Sequence, residues 1–224
     1  MKRLISILLS ANAGYVDTAG FIALNGLFAA HITGNFVTLG MALVSSTPEV
    51  WAKILALPTF CIVVFVSKLL AAAITRTSFS VIRSLLFFKI FFLIAAAILA
   101  ISINENNHSD SIVEIFTGLL LVAAMALQNS ISCLYPNPVP ATILTGPLTR
   151  MMIDVGDLTL AISPDQSIVK DRLVVVLINV GSFAFGCVFS AFLFSRVGTW
   201  FFIVPPILAF IPMILGQKGG ETYL

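Results

Sequence analysis

A single aspartate lies inside the first apolar stretch of the chain, and a polar break follows that stretch. Asp17 is near the middle of residues 4–28, and residues 31–35 read His-Ile-Thr-Gly-Asn where a simple membrane helix would end. An acid in lipid costs at least about 2.5 kcal/mol, so it must face protein or water. Such a carboxylate can bind a proton, a cation or a polar ligand, or it can hydrogen-bond a neighbouring helix. The sequence leaves both roles open.

The polar break has residue types that end one helix and start another. Gly34 permits unusual backbone dihedrals, and Thr33 and Asn35 can cap the segment that follows. Exposed amides at a helix start favour an anionic or polar group. The alternative is a turn with good capping chemistry. Thr33, Gly34 and Asn35 are therefore candidate substrate-binding residues. His31 is a secondary candidate because it can titrate near neutral pH.

A shortened copy of this break follows the fourth apolar stretch. Thr145 and Gly146 are followed by Pro147, which fits the first turn of a helix. In the register that aligns the two breaks, Asp17 falls opposite Asn129. If the two parts of the chain face each other, Asp17 and Asn129 approach the membrane midplane from opposite sides. Hydrogen bonding between helices is the alternative.

Further polar residues extend the list of candidates. Gln128 precedes a proline-rich run, residues 136–140, which must end its helix. Arg150 and Asp154 have the i,i+4 spacing of a helix ion pair, and a solvated interfacial face is the simpler interpretation of that pair. The candidate substrate-binding residues are Asp17, Thr33, Gly34, Asn35, Gln128, Asn129, Thr145 and Gly146, with His31, Arg150 and Asp154 as secondary candidates.

Signatures of catalysis and of metal binding are missing from the sequence. The chain has no HExxH, GxSxG or GxxxxGK motif, and neither histidine lies near a cysteine or the other histidine. Its three cysteines have no CxxC or CxxH spacing, which argues against a disulfide framework and a zinc site and favours buried side chains. We expect a protein that is not an enzyme and has no cofactor and no metal.

The composition is that of an integral membrane protein. The chain has 224 residues, of which 59% are hydrophobic and 10% charged, whereas soluble domains have about 25% charged residues. The net charge of +2 and the scattered basic residues do not indicate a nucleic-acid partner. We predict a single membrane domain, residues 1–224, whose main partner is the lipid bilayer.

Six apolar stretches approach or exceed the length that a spanning helix needs, about 20 residues. They are residues 4–28, 54–74, 85–103, 112–135, 168–194 and 199–215. Three stretches fall in residues 1–103 and three in residues 112–216, so the second half is inverted relative to the first. Residues 36–44 and 148–162 are too short to cross. We predict an all-α fold of two inverted three-helix halves, each with a broken or re-entrant segment after its first helix.

The distribution of basic residues predicts the orientation. Lysines and arginines that fall on the side of the N-terminus are Lys2, Arg3, Arg76, Arg83, Arg150, Lys170, Arg172 and Lys218. Only Lys53 and Arg196 fall on the opposite side, which predicts that both termini are cytoplasmic. Lys68 and Lys89 lie inside helices near that same side, where we expect their stems to snorkel to the interface.

Small residues mark two helix-packing faces. Gly14, Asp17 and Gly20 share one face of the first helix, and a stripe of small residues on the fifth stretch includes Gly186. Small residues let two helices approach closely in a membrane. We predict close helix contacts at both faces, and for the stripe on the fifth stretch the contact is either within the bundle or between protomers.

The motifs resemble those of one family. Gly14-Tyr15-Val16-Asp17, followed by Thr33-Gly34-Asn35 and later by Gln128-Asn129 and Thr142-Ile143-Leu144-Thr145-Gly146, is similar to the YoaK-like family of bacterial transmembrane proteins. The resemblance covers nearly the whole chain and implies a bacterial inner-membrane protein with about six helices. It implies no established activity, so no catalytic residue is carried over. Pro147 departs from a more usual polar residue, which puts an equal role for the two breaks in doubt.

The leading hypothesis is a small-molecule or ion transporter, of permease type, in the bacterial inner membrane. Its polar site would lie around Asp17, Asn129 and the two Thr-Gly breaks, and its ligand would be an unknown small polar or ionic molecule. Six helices are few for alternating access, so we expect a homodimer by analogy with transporters that pair two six-helix halves. The competing hypothesis is a structural or accessory membrane protein that does not transport and whose polar residues serve helix packing. An intramembrane enzyme is the third hypothesis and ranks last.

Overall fold

The computed structural model describes residues 2–45, 50–76, 79–102, 111–134, 145–160 and 166–215. The proline-rich run at 136–140 lies outside these residues. In the described part the elements are helical: α1 (Lys2–Ala23), α2 (Gly34–Ser45), α3 (Val50–Ile74), α4 (Val81–Ser102), α5 (Ser111–Leu134), α6 (Thr145–Thr159), α7 (Gln166–Val197), the 3-10 helix η1 (Gly198–Ile203) and α8 (Val204–Leu215).

Within the described residues, five helical runs are long and apolar enough to cross a bilayer. They are Arg3–Ala23, Val50–Ile74, Val81–Ser102, Ile112–Leu134 and Gln166–Leu215. A spanning helix needs about 20 residues because the apolar layer of the bilayer is about 30 Å thick. The chain is therefore an all-α, multi-pass membrane protein, as its composition predicts.

The first half of the fifth run, α7, is parallel to α1. Ser6 Oγ donates to Asn179 Oδ1 at 3.0 Å, and Cys187 Sγ lies 3.4 Å from the carbonyl oxygen of Gly14. The two pairs have the same separation along the chain, 173 residues, so the helices advance in the same direction. Helix α7 therefore crosses alongside α1 with the same polarity.

The chain reverses its direction after α7. Gly198 has a φ of 56°, and η1 begins there. Asn12 Nδ2 donates to the Pro205 carbonyl at 3.2 Å, and Tyr15 Oη donates to the Phe201 carbonyl at 2.8 Å. Later residues of α1 thus meet earlier residues of η1 and α8. The fifth run consists of two antiparallel pieces, and its turn falls where the sequence separates the fifth apolar stretch from the sixth.

Glycines allow a close contact between helices α1 and α7. A Cβ on Gly14 would lie 2.1 Å from the carbonyl oxygen of Phe183. A Cβ on Gly186 would lie 2.0 Å from the carbonyl oxygen of Ala11. Only glycine fits at such distances, because a side-chain carbon would overlap the neighbouring backbone. The predicted close contacts at Gly14 and Gly186 are confirmed.

Other helix pairs complete the bundle. Helix α5 packs on α3 and α4, and α8 packs on α1 and α4. The two short helices each lie on one long helix, α2 on α3 and α6 on α7. The hydroxyl of Ser67 donates to that of Ser130 at 2.7 Å, which ties α3 to α5 inside the bundle. These contacts fix the positions of the polar residues described below.

The cysteines differ from the prediction. Cys61 and Cys133 are exposed on the outside of the bundle, and Cys187 is half-buried. The prediction that all three are buried is wrong. In a membrane an apolar side chain need not enter the protein core, because lipid tails are as apolar as that core.

Candidate functional site

The chain turns back on itself directly after α1. Asn25 and Gly26 have φ values of 54° and 80°, in the left-handed region that asparagine and glycine tolerate best. The N–H of Gly26 donates to the carbonyl of Phe21 at 2.9 Å, which closes the turn onto the last residues of α1. Residues 27–33 therefore run back alongside the helix that they follow.

Asp17 receives this returning segment. Its Oδ1 accepts from the N–H of Ala29 at 2.9 Å and from the N–H of Ala30 at 2.6 Å. Its Oδ2 lies 2.5 Å from Nδ1 of His31. Asp17 is six residues before the end of α1, so this contact lies about 9 Å back along the helix axis. The segment before α2 thus folds back along α1, and Asp17, only 3% exposed, holds it.

Asn35 holds the same segment from the other side. Its Oδ1 accepts from the N–H of Phe28, and its Nδ2 donates to the carbonyl of Phe28, both at 2.8 Å. A Cβ on Gly34 would lie 2.9 Å from the Phe28 ring, so glycine is needed where this ring covers the start of α2. Asp17, His31, Asn35 and the backbone of residues 28–30 together form what we call the α2 anchor.

The first amides of α2 are already used. The N–H groups of residues 34–36 donate to the carbonyl oxygens of residues 31–33, at 2.8, 3.1 and 3.2 Å. Thr33 is exposed beside them. This start corresponds to the capped-turn alternative and not to a row of amides open to an anion. A ligand-binding role for Thr33, Gly34 and Asn35 stays a prediction.

The electrostatics of the anchor favour a charged histidine. The side chain of His31 is 35% exposed, that of Asp17 is 4% exposed, and the imidazole packs edge-on against Phe183 with 5.4 Å between ring centres. The hydrogen bond that Nδ1 of His31 donates to Asp17 raises the pKa of His31, and partial burial opposes that rise. Compared with a free histidine, the charged form of His31 is therefore favoured, as the cation of an ion pair between the start of α2 and α1.

A second buried cluster, which we call the Lys89 cluster, joins three helices. Nζ of Lys89 in α4 donates to Oε1 of Gln128 in α5. Nε2 of Gln128 donates to the carbonyl of Leu9 in α1 at 3.0 Å. Lys89 and Gln128 are both 0% exposed. The prediction that Lys89 snorkels to the interface is wrong, because it is eight residues, about 12 Å, beyond the start of α4 and points into the bundle.

The structure does not bring Asp17 together with the predicted residues of α5. The side chain of Gln128 reaches Leu9, which precedes Asp17 by eight residues, about 12 Å along α1. Asn129, 6% exposed, follows Gln128 directly and is at a similar level. The candidate residues thus form two separate clusters, and a shared ligand for Asp17 and Asn129 stays a prediction.

The second Thr-Gly break differs from the first. Thr145 and Gly146 begin α6 and are exposed, and no atom lies within 4 Å of the position that a Cβ on Gly146 would take. Gly34, by contrast, is covered by a phenyl ring. This difference agrees with the expectation, based on Pro147, that the two breaks do not have equal roles.

Asp154 is the centre of a separate ion-pair cluster. Arg172 of α7 binds it in bidentate fashion, Nε to Oδ2 at 2.6 Å and Nη2 to Oδ1 at 2.5 Å. Arg150 completes the predicted i,i+4 pair at 3.2 Å. The hydrogen bonds from Arg172 are the largest cause that lowers the pKa of Asp154. Arg172 lies 18 residues away, so no local spacing signalled its role. This cluster fastens α6 to α7.

Comparison with known proteins gives a family and no activity. A protein-family model described as a protein of unknown function, DUF1275, matches residues 5–215. This is the YoaK-like family of membrane proteins that the motifs resemble, so that prediction is confirmed. No curated protein and no solved structure matches the chain.

Proposed function

Because the chain belongs to the DUF1275 family of proteins of unknown function, we propose a function from its own geometry: it is a transporter of permease type for a small polar or ionic solute. The re-entrant start of α2, held by Asp17, is the observation that carries this proposal. Non-helical backbone at membrane depth is tolerated where it is buried in protein or lines a cavity. In secondary transporters such broken elements form the solute site.

An inverted repeat of two three-helix halves, residues 1–103 and 112–216, is part of the proposal. The proposed repeat has six membrane-spanning passes, and η1 and α8 together form the sixth. The helix contacts support it because each contact has a counterpart when the halves are exchanged. Exchange of the halves replaces α1 by α5, α2 by α6, α3 by α7 and α4 by α8. The contact of α1 with α7 then corresponds to that of α5 with α3, and the contact of α1 with α8 to that of α5 with α4. The contact of α2 with α3 corresponds to that of α6 with α7. Such an arrangement suits rocking between two accessible states.

In this proposal the α2 anchor is a gate. The carboxylate of Asp17 holds the start of α2 through three hydrogen bonds from Ala29, Ala30 and His31. A cation or proton that competes for this carboxylate would release the segment and open a path between α1 and α2. Asp17 is then a residue that responds to the solute, and Asn35 keeps the segment in register with α2.

We further propose that the protein lies in a bacterial inner membrane, with both termini cytoplasmic, and acts as a homodimer. The excess of basic residues on the side of the termini supports the orientation. The dimer rests on the analogy with transporters that pair two six-helix halves.

One observation favours the competing function, an accessory protein that does not transport. The carboxylate of Asp17 is already occupied by three donors of its own chain, which is the pattern of a structural anchor. Both functions predict that Asp17 matters for the fold. Only the transporter predicts a solute that binds and crosses.

A ligand screen followed by flux tests the proposed function. Detergent-purified protein is screened by thermal shift against small inorganic ions, carboxylates and amines, because a ligand of the folded state raises the unfolding temperature. Hits are then assayed for uptake into proteoliposomes, with Asp17→Asn as the variant and Asp171→Asn, 81% exposed in its side chain, as the control. We expect uptake that Asp17→Asn abolishes and Asp171→Asn keeps. A complete screen with no hit and no uptake would support the accessory function.

A further inference from the structure

The buried amine of Lys89 lacks the partners that an ammonium group needs. Lys89 is 0% exposed in the middle of the bundle, and the hydrogen bond of its Nζ is to the neutral amide oxygen of Gln128. An ammonium has three N–H donors and a full charge. Burying such a charge without a compensating partner is costly in a protein interior and in a membrane. One neutral acceptor suits an uncharged amine far better.

Four described elements pack against α4: α3, α5, η1 and α8. In their described parts no acidic group faces Lys89. Neither η1 nor α8 contains an ionisable side chain. The described acid of α5, Glu114, is 14 residues from Gln128, about 21 Å, and accepts a hydrogen bond from Asn25. The remaining ionisable group of α5, Cys133, is exposed.

Helix α3 supplies no counter-charge either. Its ionisable residues are Lys53, Cys61 and Lys68, none of which is acidic. Cys61 and Lys68 are exposed on the outside of the bundle, and Lys53 lies in the first turn of α3. Asp17, on α1, is about 12 Å from the level of the Lys89 cluster and is occupied by its own partners. No described carboxylate therefore neutralises Lys89.

We infer that Lys89 is a proton-binding site inside the bilayer, which holds a neutral amine in this closed arrangement and an ammonium ion when the bundle opens to water. The lone pair of Nζ takes one proton from hydronium in the adjoining water, and the charge of the protein rises by one. On closing, the N–H bond breaks and the proton returns to water. Oε1 of Gln128 accepts an N–H in both states, so the link between α4 and α5 persists.

The same contacts couple this proton to the arrangement of the helices. Gln128 connects Lys89 to the carbonyl of Leu9, so α4, α5 and α1 meet at one point. Because the charged form is disfavoured only while the cluster is dry, protonation shifts the population toward the open arrangement. A role of Lys89 in coupling proton binding to solute movement rests on the proposed function, whereas proton binding by Lys89 does not.

Nitrogen-15 NMR of the lysine Nζ groups tests the inference on the full chain in lipid nanodiscs. Lys89→Met, which keeps an unbranched side chain one atom shorter, identifies the signal of Lys89, and Lys68→Met, at an exposed lysine of α3, is the matched control. If Lys89→Met does not fold, Lys89→Gln removes the same signal and keeps an uncharged donor beside Gln128. Over a titration from about pH 9 to pH 5, we expect the Lys89 signal to begin as that of an amine and to change to that of an ammonium.

The alternatives give different results. An ammonium signal for Lys89 throughout that pH range would overturn the inference. An amine signal that converts reversibly on acidification would support it even if no solute is ever found, in which case only the proposed function fails. Where a solute is found, we expect Lys89→Met to keep binding it and to lose uptake driven by a pH gradient, while Lys68→Met keeps both. Full pH-driven uptake by Lys89→Met would show that Lys89 does not couple proton binding to solute movement.

Discussion

Oδ2 of Asp17 lies 2.5 Å from Nδ1 of His31, and this pair joins the interior of α1 to the start of α2. The other oxygen of the same carboxylate binds the N–H groups of Ala29 and Ala30. An acid that is costly in an apolar helix thus supplies the acceptors that a non-helical backbone segment folded back along α1 needs. The same hydrogen bonds therefore compensate both for the burial of the acid and for the break in the helix.

Replacement of Asp17 by asparagine should destabilise the protein. The amide keeps one acceptor oxygen, which can still accept from Ala29 and Ala30, but it loses the charge and the second oxygen, so His31 loses its anionic acceptor. Each lost hydrogen bond to a charged group is worth about 1.5–3 kcal/mol. Chemical unfolding in detergent measures the loss, with Asp171→Asn as the control, which we expect to change the free energy of unfolding by less than about 0.5 kcal/mol. Equal effects of the two variants would show that the anchor contributes no stability.

The ion pair between Asp17 and His31 should make stability depend on pH. Because the pKa of His31 is raised in the folded state, the contribution of the pair is complete below the unfolded value, about 6.5. It is lost as the pH rises through the higher folded value. Unfolding temperatures of the wild type should therefore fall over this window, and those of His31→Gln should change less. A wild type and a His31→Gln variant with parallel pH profiles would contradict the assignment.

Loss of the side chain of Asn35 should loosen the start of α2. Asn35→Ala leaves the N–H and the carbonyl of Phe28 without partners, and each buried unsatisfied group costs about 1–3 kcal/mol. Thr33→Ala is the matched control because Thr33 is exposed two residues earlier. Limited proteolysis of the segment before α2 should be faster in Asn35→Ala than in Thr33→Ala. Equal cleavage rates would mean that the amide of Asn35 does not hold the segment.

Two glycines of α7 should respond in opposite ways to alanine. Gly186→Ala places a Cβ 2.0 Å from the carbonyl oxygen of Ala11 and forces α1 and α7 apart. Overpacking of this kind costs about 1–3 kcal/mol. At Gly181 no atom lies within 4 Å of the added carbon, and alanine improves helix propensity. Thermal unfolding should show a loss for Gly186→Ala and none for Gly181→Ala; the reverse order would contradict the packing of α1 on α7.

Chain length and hydropathy were enough to predict the class of the fold and most helix bounds. The stretch predicted at 54–74 is α3, Val50–Ile74, and the one predicted at 112–135 is α5, Ser111–Leu134. Asp17 could be singled out because one acid in an apolar helix is rare and costly. Its partners could not, since the N–H groups of Ala29 and Ala30 look like any other backbone amide in a sequence.

The direction of Lys89 could not be predicted either. Helix α4 is apolar around its whole circumference, so no polar face indicates which side enters the bundle. Whether a lysine reaches the interface or the interior then depends on how α4 packs on α5. The bidentate pair of Arg172 with Asp154 was missed for a similar reason, because it forms between two helices far apart in the sequence.

Labelling at the start of α2 tests the central proposal, that the segment held by Asp17 is the gate of a transporter. Thr33→Cys is introduced into a protein whose Cys61, Cys133 and Cys187 are replaced by serine or alanine. A membrane-impermeant maleimide is then applied to sealed vesicles of either orientation.

A gate that opens alternately should expose Cys at position 33 to reagent from both sides. Asp17→Asn should shift the ratio of the two labelling rates, whereas Asp171→Asn should leave it unchanged. Labelling from one side only, at the same rate with and without Asp17→Asn, would contradict the claim and identify the α2 anchor as a fixed structural element.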